Sequence, residues 1–452
     1  MNRNTGLDFT RRGLLLGAGA MAAAGCCPAF ASDIDVVVVG AGAAGIAAAQ
    51  MLASLGRTCV VLEADNRIGG RALTDTRTFG APFDIGCAWI HAAHSNPFYG
   101  MAIANNFHLH EHSLGLNQIY YRGKKADRDF VAREERAEEM IGGAIDAKAD
   151  AGRDIPASSV MPLFAPPMDA AATDIGPMDA AVDLDQESVF DHAAEAKAEY
   201  DPNFLVREGF GTLVARVGKN VRAHLATPVR SIKYDGKGVS VETNRGTVAA
   251  KAVIVTVSMG VLQKGAIAFT PGLPAATNDA IHDLRMGLLT KIPLLLSEKD
   301  GIAASDYENI LDEATSPKAK DDFLFLAWPW DTNLMVGFVG GSYAWALSQR
   351  PDDEVEALAK ESLARMFGSS VKDRVRKALV TPWAKNPLTL GAYSAEIPGK
   401  HGARAALREP VAERVWFAGE AAAENGLFAT CGGAYLSGEK VARAVDERLS
   451  RA

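Results

Sequence analysis

The chain has 452 residues, of which 48% are hydrophobic and 23% are charged. This composition excludes a disordered or collagen-like chain, and the length predicts two or three structural units. The net charge of -8 leaves no basic field that would favour nucleic acid. The five cysteines are too few for a disulfide framework, and the nine histidines do not join them at ligand spacing. The sequence therefore predicts no metal site.

Residues 1–31 have the pattern of a twin-arginine signal peptide. A polar start ends in Arg11–Arg12, a Gly/Ala-rich run follows, and Ala29–Ala31 provides small residues for cleavage. The pattern predicts export of the folded protein to the periplasm. Lipid attachment at Cys26 is the alternative. No later apolar run reaches the length of a membrane span.

Residues 33–64 predict a nucleotide-binding turn. A β-branched run at Asp33–Val39 indicates a buried parallel strand, and an Ala-rich helix to about Leu55 and a strand at Thr58–Leu62 follow the glycines. Such glycines let the backbone approach a pyrophosphate, the helix N-terminus holds its charge, and the acid after the second strand binds ribose. The residues assigned to the cofactor here are Gly40, Gly42, Ala43, Ala44, Gly45, Glu63 and Ala64.

A second glycine pair, Gly69–Gly70, precedes Arg71, which is placed to reach phosphate. The stretch from Glu63 to Arg71 resembles the GG-doublet of the FAD-dependent amine oxidase superfamily, which includes monoamine, polyamine and L-amino-acid oxidases and flavin-dependent histone demethylases. The resemblance implies FAD, with Gly70 and Arg71 among its contacts. It also implies an α/β fold in which a Rossmann-like FAD-binding domain is interleaved with an α+β substrate-binding domain.

Residues 84–97 are similar to a stretch typical of polyamine and spermine oxidases. The resemblance places Gly86, Ala88 and Trp89 at the cofactor and His91 at the substrate cavity. A hydrogen-bonded core histidine is the alternative for His91.

Residues 101–206 carry the faintest resemblance. Glu134–Glu139 is interpreted as a solvated helix face, and the Pro- and Ala-rich residues 151–183 as a long loop that forms a lid or cavity wall. After this region, Val206–Gly211 resembles the family's return to the FAD domain. Strands are then predicted at Val229–Tyr234, Val239–Thr243 and Ala252–Val257, and the resemblance assigns Val229 to the adenine.

Met286–Lys291 resembles the element whose lysine holds a water against flavin N5. Leucines flank Lys291 on both sides, and apolar surroundings would lower the pKa of its amine. An outward-facing strand lysine is the alternative. Residues 381–394 are similar to a family segment in which Trp383 contacts the cofactor and Tyr393 forms a wall of the aromatic cage. Ala392 stands where monoamine oxidases carry a flavin-linked cysteine, so we expect non-covalent FAD.

The carboxy-terminal residues Val415–Glu420 and Thr430–Gly438 resemble the second FAD fingerprint. The resemblance implies that Glu420 accepts a hydrogen bond from the ribityl or phosphate part. It also implies a helix whose N-terminus faces the flavin pyrimidine. Thr430 occupies the position of the second cage tyrosine of monoamine oxidases, which predicts a wider cage for larger amines. The cofactor contacts in this region are Gly419, Glu420, Thr430 and Cys431.

These patterns predict an FAD-binding domain from residues 32–100, 207–270 and 405–452, and a substrate-binding domain from 101–206 and 271–404. The predicted function is oxidation of polyamine-like or other larger amines by hydride transfer to FAD N5, which gives an imine or aldehyde and hydrogen peroxide. The catalytic residues would be Lys291, Tyr393, Thr430 and His91, and acids that could bind a cationic amine are Asp179 and those in Glu308–Glu313.

Three alternatives share these motifs. The first is a dehydrogenase that passes electrons to a periplasmic cytochrome instead of oxygen. The second is an L-amino-acid oxidase, which needs an arginine to clamp the substrate carboxylate. The third is a catalytically silent FAD-binding protein.

Overall fold

The computed structural model describes residues 33–161, 166–198, 202–313 and 322–451. The predicted signal peptide, including Arg11–Arg12 and Cys26, lies outside the described residues. Within them, no helix is long and apolar enough to cross a bilayer.

The strands in chain order are β1 (Ile34–Val39), β2 (Cys59–Leu62), β3 (Thr74–Asp75), β4 (Phe83–Asp84), β5 (Trp89–Ile90), β6 (Leu109–Glu111), β7 (Gln118–Tyr121), β8 (Lys124–Lys125), β9 (Phe204–Val206), β10 (Ala223–His224), β11 (Val229–Lys233), β12 (Val239–Thr243), β13 (Gly246–Val255), β14 (Ala268–Thr270), β15 (Leu284–Gly287), β16 (Leu289–Leu296), β17 (Asn309–Glu313), β18 (Phe323–Ala327), β19 (Leu334–Gly340), β20 (Val375–Ala378), β21 (Tyr393–Glu396) and β22 (Val415–Phe417).

Some helices pack against the sheets. Those between residues 128 and 196 pack on one another and form a separate helical layer. A π-helical segment, Asp174–Ala180, follows the fourth α-helix of the chain directly. The α-helices are α1 (Ala43–Ser54), α2 (Pro97–Ala104), α3 (Arg128–Asp150), α4 (Pro166–Thr173), α5 (Val189–Ala196), α6 (Phe210–Val217), α7 (Met259–Gln263), α8 (Ala275–Asp283), α9 (Gly341–Ser348), α10 (Asp352–Phe367), α11 (Ala403–Arg408) and α12 (Cys431–Ser450).

The first sheet has the strand order β10-β2-β1-β13-β12-β11-β14, and β22 also pairs with β13. Strand β1 is parallel to β2 and β13, and all six of its residues are buried. Alternate β1 side chains enter different cores, because Val36 and Val38 pack with α1 and α12 while Val37 and Val39 pack on the opposite face. Helices α1 and α12 approach closely where Gly438 meets Ala44. This sheet brings the amino- and carboxy-terminal fingerprints side by side.

The second sheet has the order β20-β16-β19-β18-β17-β7-β8. Its strands lie in the ranges predicted for the substrate domain, as those of the first sheet lie in the ranges predicted for the FAD domain. The core of the first sheet nevertheless includes Ile281, Leu284 and Ala403, which lie inside the range predicted for the substrate domain. A three-stranded sheet, β5-β9-β6, joins segments from both predicted domains.

The prediction of a loop over residues 151–183 is wrong, because the described part of this segment is largely helical. It contains α4 and the π-helical segment, and Met168, Ala171 and Ile175 pack into one apolar cluster with Ile141 of α3. This tertiary packing stabilises helical structure despite the proline-rich composition.

The prediction that Glu134–Glu139 forms a solvated face is also wrong at Glu134. The buried stripe of α3 consists of Glu134, Ala137, Ile141 and Ile145, which recur at helical spacing. Glu134 lies on this stripe and is only 2% exposed.

Candidate active site

One cavity of about 890 Å³ runs between the first sheet, the second sheet and the helical layer. Its volume is within the range of small-molecule sites. Every residue that the sequence assigned to the cofactor or to catalysis lines this cavity, with the exception of Gly45. The two ends of the chain and its middle therefore contribute to one site.

The first glycine turn connects β1 to the N-terminus of α1. Gly40 has φ of +104°, a conformation that favours glycine. Gly45 lies behind the turn, where a Cβ atom would be 2.0 Å from the carbonyl oxygen of Gly40. Gly42 is the N-cap of α1, so it has no side chain to occupy the first backbone N–H groups of the helix. These groups fit the pyrophosphate of a dinucleotide.

Glu63 follows β2 and is buried beside this turn. Its carboxylate accepts hydrogen bonds from the backbone N–H groups of Ala41 at 2.6 Å and Asp65 at 2.8 Å. Burial raises the pKa of Glu63, while these two hydrogen bonds act in the opposite direction. The acid is thus held at the end of β2, where the sequence places the ribose.

The second glycine turn packs directly on the first. Gly42 and Gly69 form a parallel bridge, and a Cβ atom on Gly70 would lie 3.2 Å from the Cα of Gly42. Arg71 then donates to the carbonyl oxygen of Ala392 at 2.7 Å and to Glu420 Oε1 at 3.0 Å. Two segments far apart in sequence are joined by this arginine at the cavity wall.

Glu420 is buried and charged. Its Oε2 accepts a hydrogen bond from the Ser394 hydroxyl at 2.6 Å. Burial alone would raise the pKa of Glu420, but the Arg71 and Arg404 guanidinium groups and the Ser394 hydroxyl lower it overall. The expected ribityl or phosphate contact of Glu420 stays a prediction, since both of its oxygens already bind protein groups.

Thr430 is the N-cap of α12. Its hydroxyl accepts from the backbone N–H of Gly433 at 2.9 Å and donates to the carbonyl oxygen of Leu427 at 2.7 Å. The hydroxyl is therefore engaged in the helix cap, and a role of Thr430 in a substrate cage stays a prediction. Cys431 and Cys87 are half-buried free thiols on the same cavity wall.

Trp383 and Gly86 form a tight contact on the wall between the two sheets. The Trp383 indole donates to the carbonyl oxygen of Ile85 at 3.0 Å. A Cβ atom on Gly86 would lie 1.6 Å from the Arg71 carbonyl oxygen and 3.2 Å from the Trp383 ring. Only glycine fits here, so the signature around residue 86 reflects backbone packing.

Lys291 lies in β16, opposite Phe338 of β19, and is only 7% exposed. The alternative of an outward-facing lysine is therefore wrong. Its Nζ donates to the carbonyl oxygens of Asp84 at 2.9 Å and Gly86 at 2.5 Å. The rings of Phe83, Trp89 and Phe338 lie 5.7 to 5.9 Å from Nζ.

These surroundings decide the charge of the lysine. Burial lowers the pKa of Lys291 to about 8, although the Asp84 carboxylate acts to raise it. Asp84 is tied down by the hydroxyl of Thr74 at 2.6 Å and the backbone N–H of Phe210 at 2.8 Å. An amine with a pKa near neutrality exchanges a proton readily.

Tyr393 begins β21 and lines the same cavity as Lys291. Its hydroxyl donates to the backbone carbonyl of Asp179 at 2.7 Å. Burial, and then the charges of Asp179, Glu195 and Glu420, raise the pKa of Tyr393 well above its ordinary value. The phenol is therefore neutral, and it connects the cofactor side of the cavity to the π-helical segment.

His91 is hydrogen-bonded and also lines the cavity, and a role in catalysis stays a prediction. Its Nδ1 lies 2.9 Å from Asn203 Oδ1, and its ring stacks on Trp89 at a centroid distance of 6.3 Å. It is half-buried and lines the cavity.

The sequence missed an acidic wall on the helical side of the cavity. Residues from α3, the π-helical segment and α5 contribute carboxylates, with His192 among them. Of the acids suggested from sequence, Asp179 lines the cavity, whereas Asp312 of β17 binds Arg365 at 2.5 Å. No motif identifies this wall in the sequence, because tertiary contacts assemble it. Its members are Glu135, Glu138, Glu139, Asp174, Asp179 and Glu195.

Comparison with known proteins agrees with this geometry. The model of the flavin containing amine oxidoreductase family matches residues 43–446. Polyamine oxidase 4 from Oryza sativa subsp. japonica is 27% identical over an alignment of 445 residues that covers 93% of this chain and 90% of that protein. Lysine-specific histone demethylase 2 from Homo sapiens is 25% identical over 437 residues. The chain spans 53% of that demethylase, or about half its length.

Among solved structures, wild-type putrescine oxidase bound to putrescine superimposes with a TM-score of 0.76 at 19% identity. The match covers 92% of this chain and 99% of that one. The fold is therefore the amine oxidase fold, and the two glycine turns and the N-terminus of α1 fit FAD. The chain belongs to the family of flavin-containing amine oxidoreductases.

Proposed function

We propose that the protein oxidises polyamine-like or other larger amines with a non-covalently held FAD. The observation that carries this proposal is the placement of buried Lys291 and Tyr393 on the cavity that both glycine turns and the acidic wall also line. On one side of the cavity the glycine turns let the backbone contact a dinucleotide. On the opposite side the acidic wall attracts positive charge.

When bound, FAD supplies a two-electron acceptor that takes hydride from the substrate α-carbon and passes the electrons to oxygen. The amine becomes an imine, which water hydrolyses to a carbonyl compound, and oxygen becomes hydrogen peroxide. The protein has to position the α-carbon, exclude bulk water and exchange protons. The tyrosine ring supplies a flat wall that orients the substrate and tolerates a nearby cation.

Lys291 supplies the proton exchange. Two of its three N–H positions are occupied by the Asp84 and Gly86 carbonyl oxygens when the amine is charged. The third is available to a water or to oxygen in the cavity. Its lowered pKa lets it hold a proton at pH 7 and release it with little cost.

Charge on the cavity wall favours an amine over an α-amino acid. The arginines among the described lining residues are Arg67, Arg71 and Arg230. Arg67 donates to the carbonyl of Gly70, Arg71 is paired with Glu420, and Arg230 lies on β11 of the first sheet. None of these positions is on the acidic wall, which would repel a substrate carboxylate.

Purified protein tests the proposal directly. We expect a flavin spectrum that anaerobic spermidine or another oligoamine bleaches, and peroxide release on adding oxygen. Acid precipitation should release FAD into the supernatant. Bleaching by leucine or phenylalanine but not by amines would instead identify an amino-acid oxidase. Reoxidation that is slow with oxygen and fast with a cytochrome would identify a dehydrogenase, and no bleaching by any amine would identify a silent flavoprotein.

Export to the periplasm is also part of the proposal, supported by Arg11–Arg12 and the small residues at Ala29–Ala31. Replacing both arginines by lysine should keep the protein in the cytoplasm. N-terminal sequencing of the exported protein should find a start near Ser32. A lipid-modified Cys26 at the N-terminus would show that the lipoprotein alternative is correct.

A further inference from the structure

Three carboxyl groups meet at the acidic wall, where Glu138 and Asp174 of the wall lie close to the buried Glu134. Glu134 and Glu138 are four residues apart on α3 and so share a face of the helix. Asp174 begins the π-helical segment, which α4 brings against α3. One carboxylate oxygen from each residue lies within 4.8 Å of the other two.

Glu134 is the member of this trio that is hardest to explain without a ligand. It is 2% exposed, and its Oε1 accepts no hydrogen bond from the described residues. A buried carboxylate oxygen without a partner is costly, and nearby carboxylates add repulsion.

Several carboxylates act on the pKa values of the trio. Burial, followed by the Glu138 and Glu135 carboxylates, raises the pKa of Glu134 to about 8. Burial and the carboxylates of Glu138, Glu134 and Asp179 raise the pKa of Asp174 well above its ordinary value. His192 contributes an opposing charge at Glu138. A bound cation would compensate this concentration of acids.

We propose that Glu134, Glu138 and Asp174 form a binding site for a calcium-sized divalent cation. Hard cations take oxygen ligands, and at Ca²⁺–O distances of about 2.3 to 2.6 Å the oxygens on opposite sides of an ion are about 5 Å apart. The three oxygens lie within 4.8 Å of one another, which is compatible with this shell. Glu138 and Asp174 line the cavity, so the ion can enter and keep water ligands.

The ion would stabilise the wall that contacts the reacting end of the cavity. It ties α3 to the π-helical segment, and this segment also contains Asp179, whose backbone carbonyl accepts the Tyr393 hydroxyl. Calcium binding is therefore coupled to the order of the segment that positions Tyr393, and its primary effect is on stability.

The test uses flavin-loaded full-length protein that has been treated with a chelator and transferred to metal-free buffer. Calcium chloride should raise the melting temperature, and elemental analysis after gel filtration should find one calcium per chain. The Glu134→Gln variant should bind calcium at least about tenfold more weakly, because a charged ligand is lost. Asp129→Asn, an exposed acid-to-amide change on the same helix, should bind calcium as the parent does.

A second variant, Asp174→Asn, guards against misfolding, since flavin content and the melting temperature in chelator report whether each variant is folded. Folded variants that bind calcium as tightly as the parent would overturn the proposal. A parent protein that takes up no calcium would also overturn it. Stabilisation by spermidine that depends on Glu134, without stabilisation by calcium, would overturn it too and would identify an ammonium subsite. None of these measurements requires turnover, so they stand independently of the proposed oxidation.

Discussion

The two walls of the cavity are built in different ways. The wall from the first sheet is mainly backbone, because the turns at Gly40–Gly45 and Gly69–Gly70 pack without side chains between them. The opposite wall, from α3, the π-helical segment and α5, presents carboxylates on helices. The backbone wall fixes the shape of the site, and the acidic wall fixes its charge.

This difference has a physical consequence for substitutions. At the backbone wall an added methyl group collides with main-chain atoms, so small changes have large effects. At the acidic wall a carboxylate faces open space, and its neutral amide has nearly the same shape. We therefore expect effects on binding and folding at the first wall, and graded effects on substrate preference at the second.

The largest effect is expected for Gly45→Val. Its Cβ would lie 2.0 Å from the Gly40 carbonyl oxygen, so the turn and the start of α1 have to move. We expect protein that retains no flavin absorbance after gel filtration. Gly100→Ala is the control, since a Cβ there meets no heavy atom within 4 Å. Normal flavin content in Gly45→Val would show that the turn tolerates side chains.

Lys291→Met should retain flavin and lose catalysis. Removing an acid–base group typically costs about 10²-fold or more in rate. Anaerobic reduction by amine and reoxidation by oxygen, followed separately by stopped flow, should show which half-reaction slows. Exposed Lys237→Met is the control. Unchanged rates in both half-reactions of Lys291→Met would show that the lysine does not take part in the mechanism.

The same lysine predicts the pH profile. Because burial lowers its pKa to about 8, its neutral form predominates above that pH and is lost as pH falls. If the neutral amine takes the proton, the affected rate should fall about tenfold per pH unit below this pKa. The rate in Lys291→Met should lack this limb. A parent profile that falls with rising pH would instead identify the charged lysine as the active form.

A smaller, selective effect is expected on the acidic wall. Asp179→Asn removes a charge exposed to the cavity and keeps the backbone carbonyl that holds Tyr393. We expect KM for an oligoamine to rise about tenfold, which is about 1.4 kcal/mol. KM for a monoamine such as benzylamine should change little. Equal changes for both amines would contradict a role for this charge in selecting substrates, and Asp235→Asn, in an exposed turn, is the control.

The smallest effect concerns the cap of α12. Thr430→Ala removes the hydroxyl that binds the Gly433 N–H and should lower the free energy of unfolding by about 1 kcal/mol. Thr430→Ser should retain most of the stability that the threonine cap provides. Denaturant unfolding of the flavin-loaded protein measures both. Unchanged stability combined with an altered preference for small amines would assign Thr430 to the substrate cage instead.

The local sequence pattern correctly predicted those parts of the site that are formed by the backbone. The order of β1, the glycine turn, α1 and β2 could be predicted because each piece is specified by nearby residues, and α12 begins where its fingerprint indicated. Val441 and Val445, four residues apart, are buried on that helix. The flanking leucines correctly indicated a buried Lys291.

Local pattern failed in the helical layer. The prolines and alanines of residues 151–183 suggested a loop, but Met168, Ala171 and Ile175 gain a packed core only from α3 and α5. The glutamate run of α3 suggested a face exposed to solvent. Ile141 and Ile145 set which face of the helix is buried, however, and Glu134 lies on that face.

The sequence by itself determined the cofactor fold, the identity of Lys291 and Tyr393 as cavity residues, and the membership in the amine oxidoreductase family. The glycine turns depend on short-range backbone geometry, which leaves a readable spacing of glycines and β-branched residues, whereas Lys291 and Tyr393 were identified by the resemblance of their segments to that family. Only the tertiary structure decided which acids face the cavity and that Asp174 joins Glu134 and Glu138. Charges act through space, so residues forty positions apart can form one site without any common pattern in the chain.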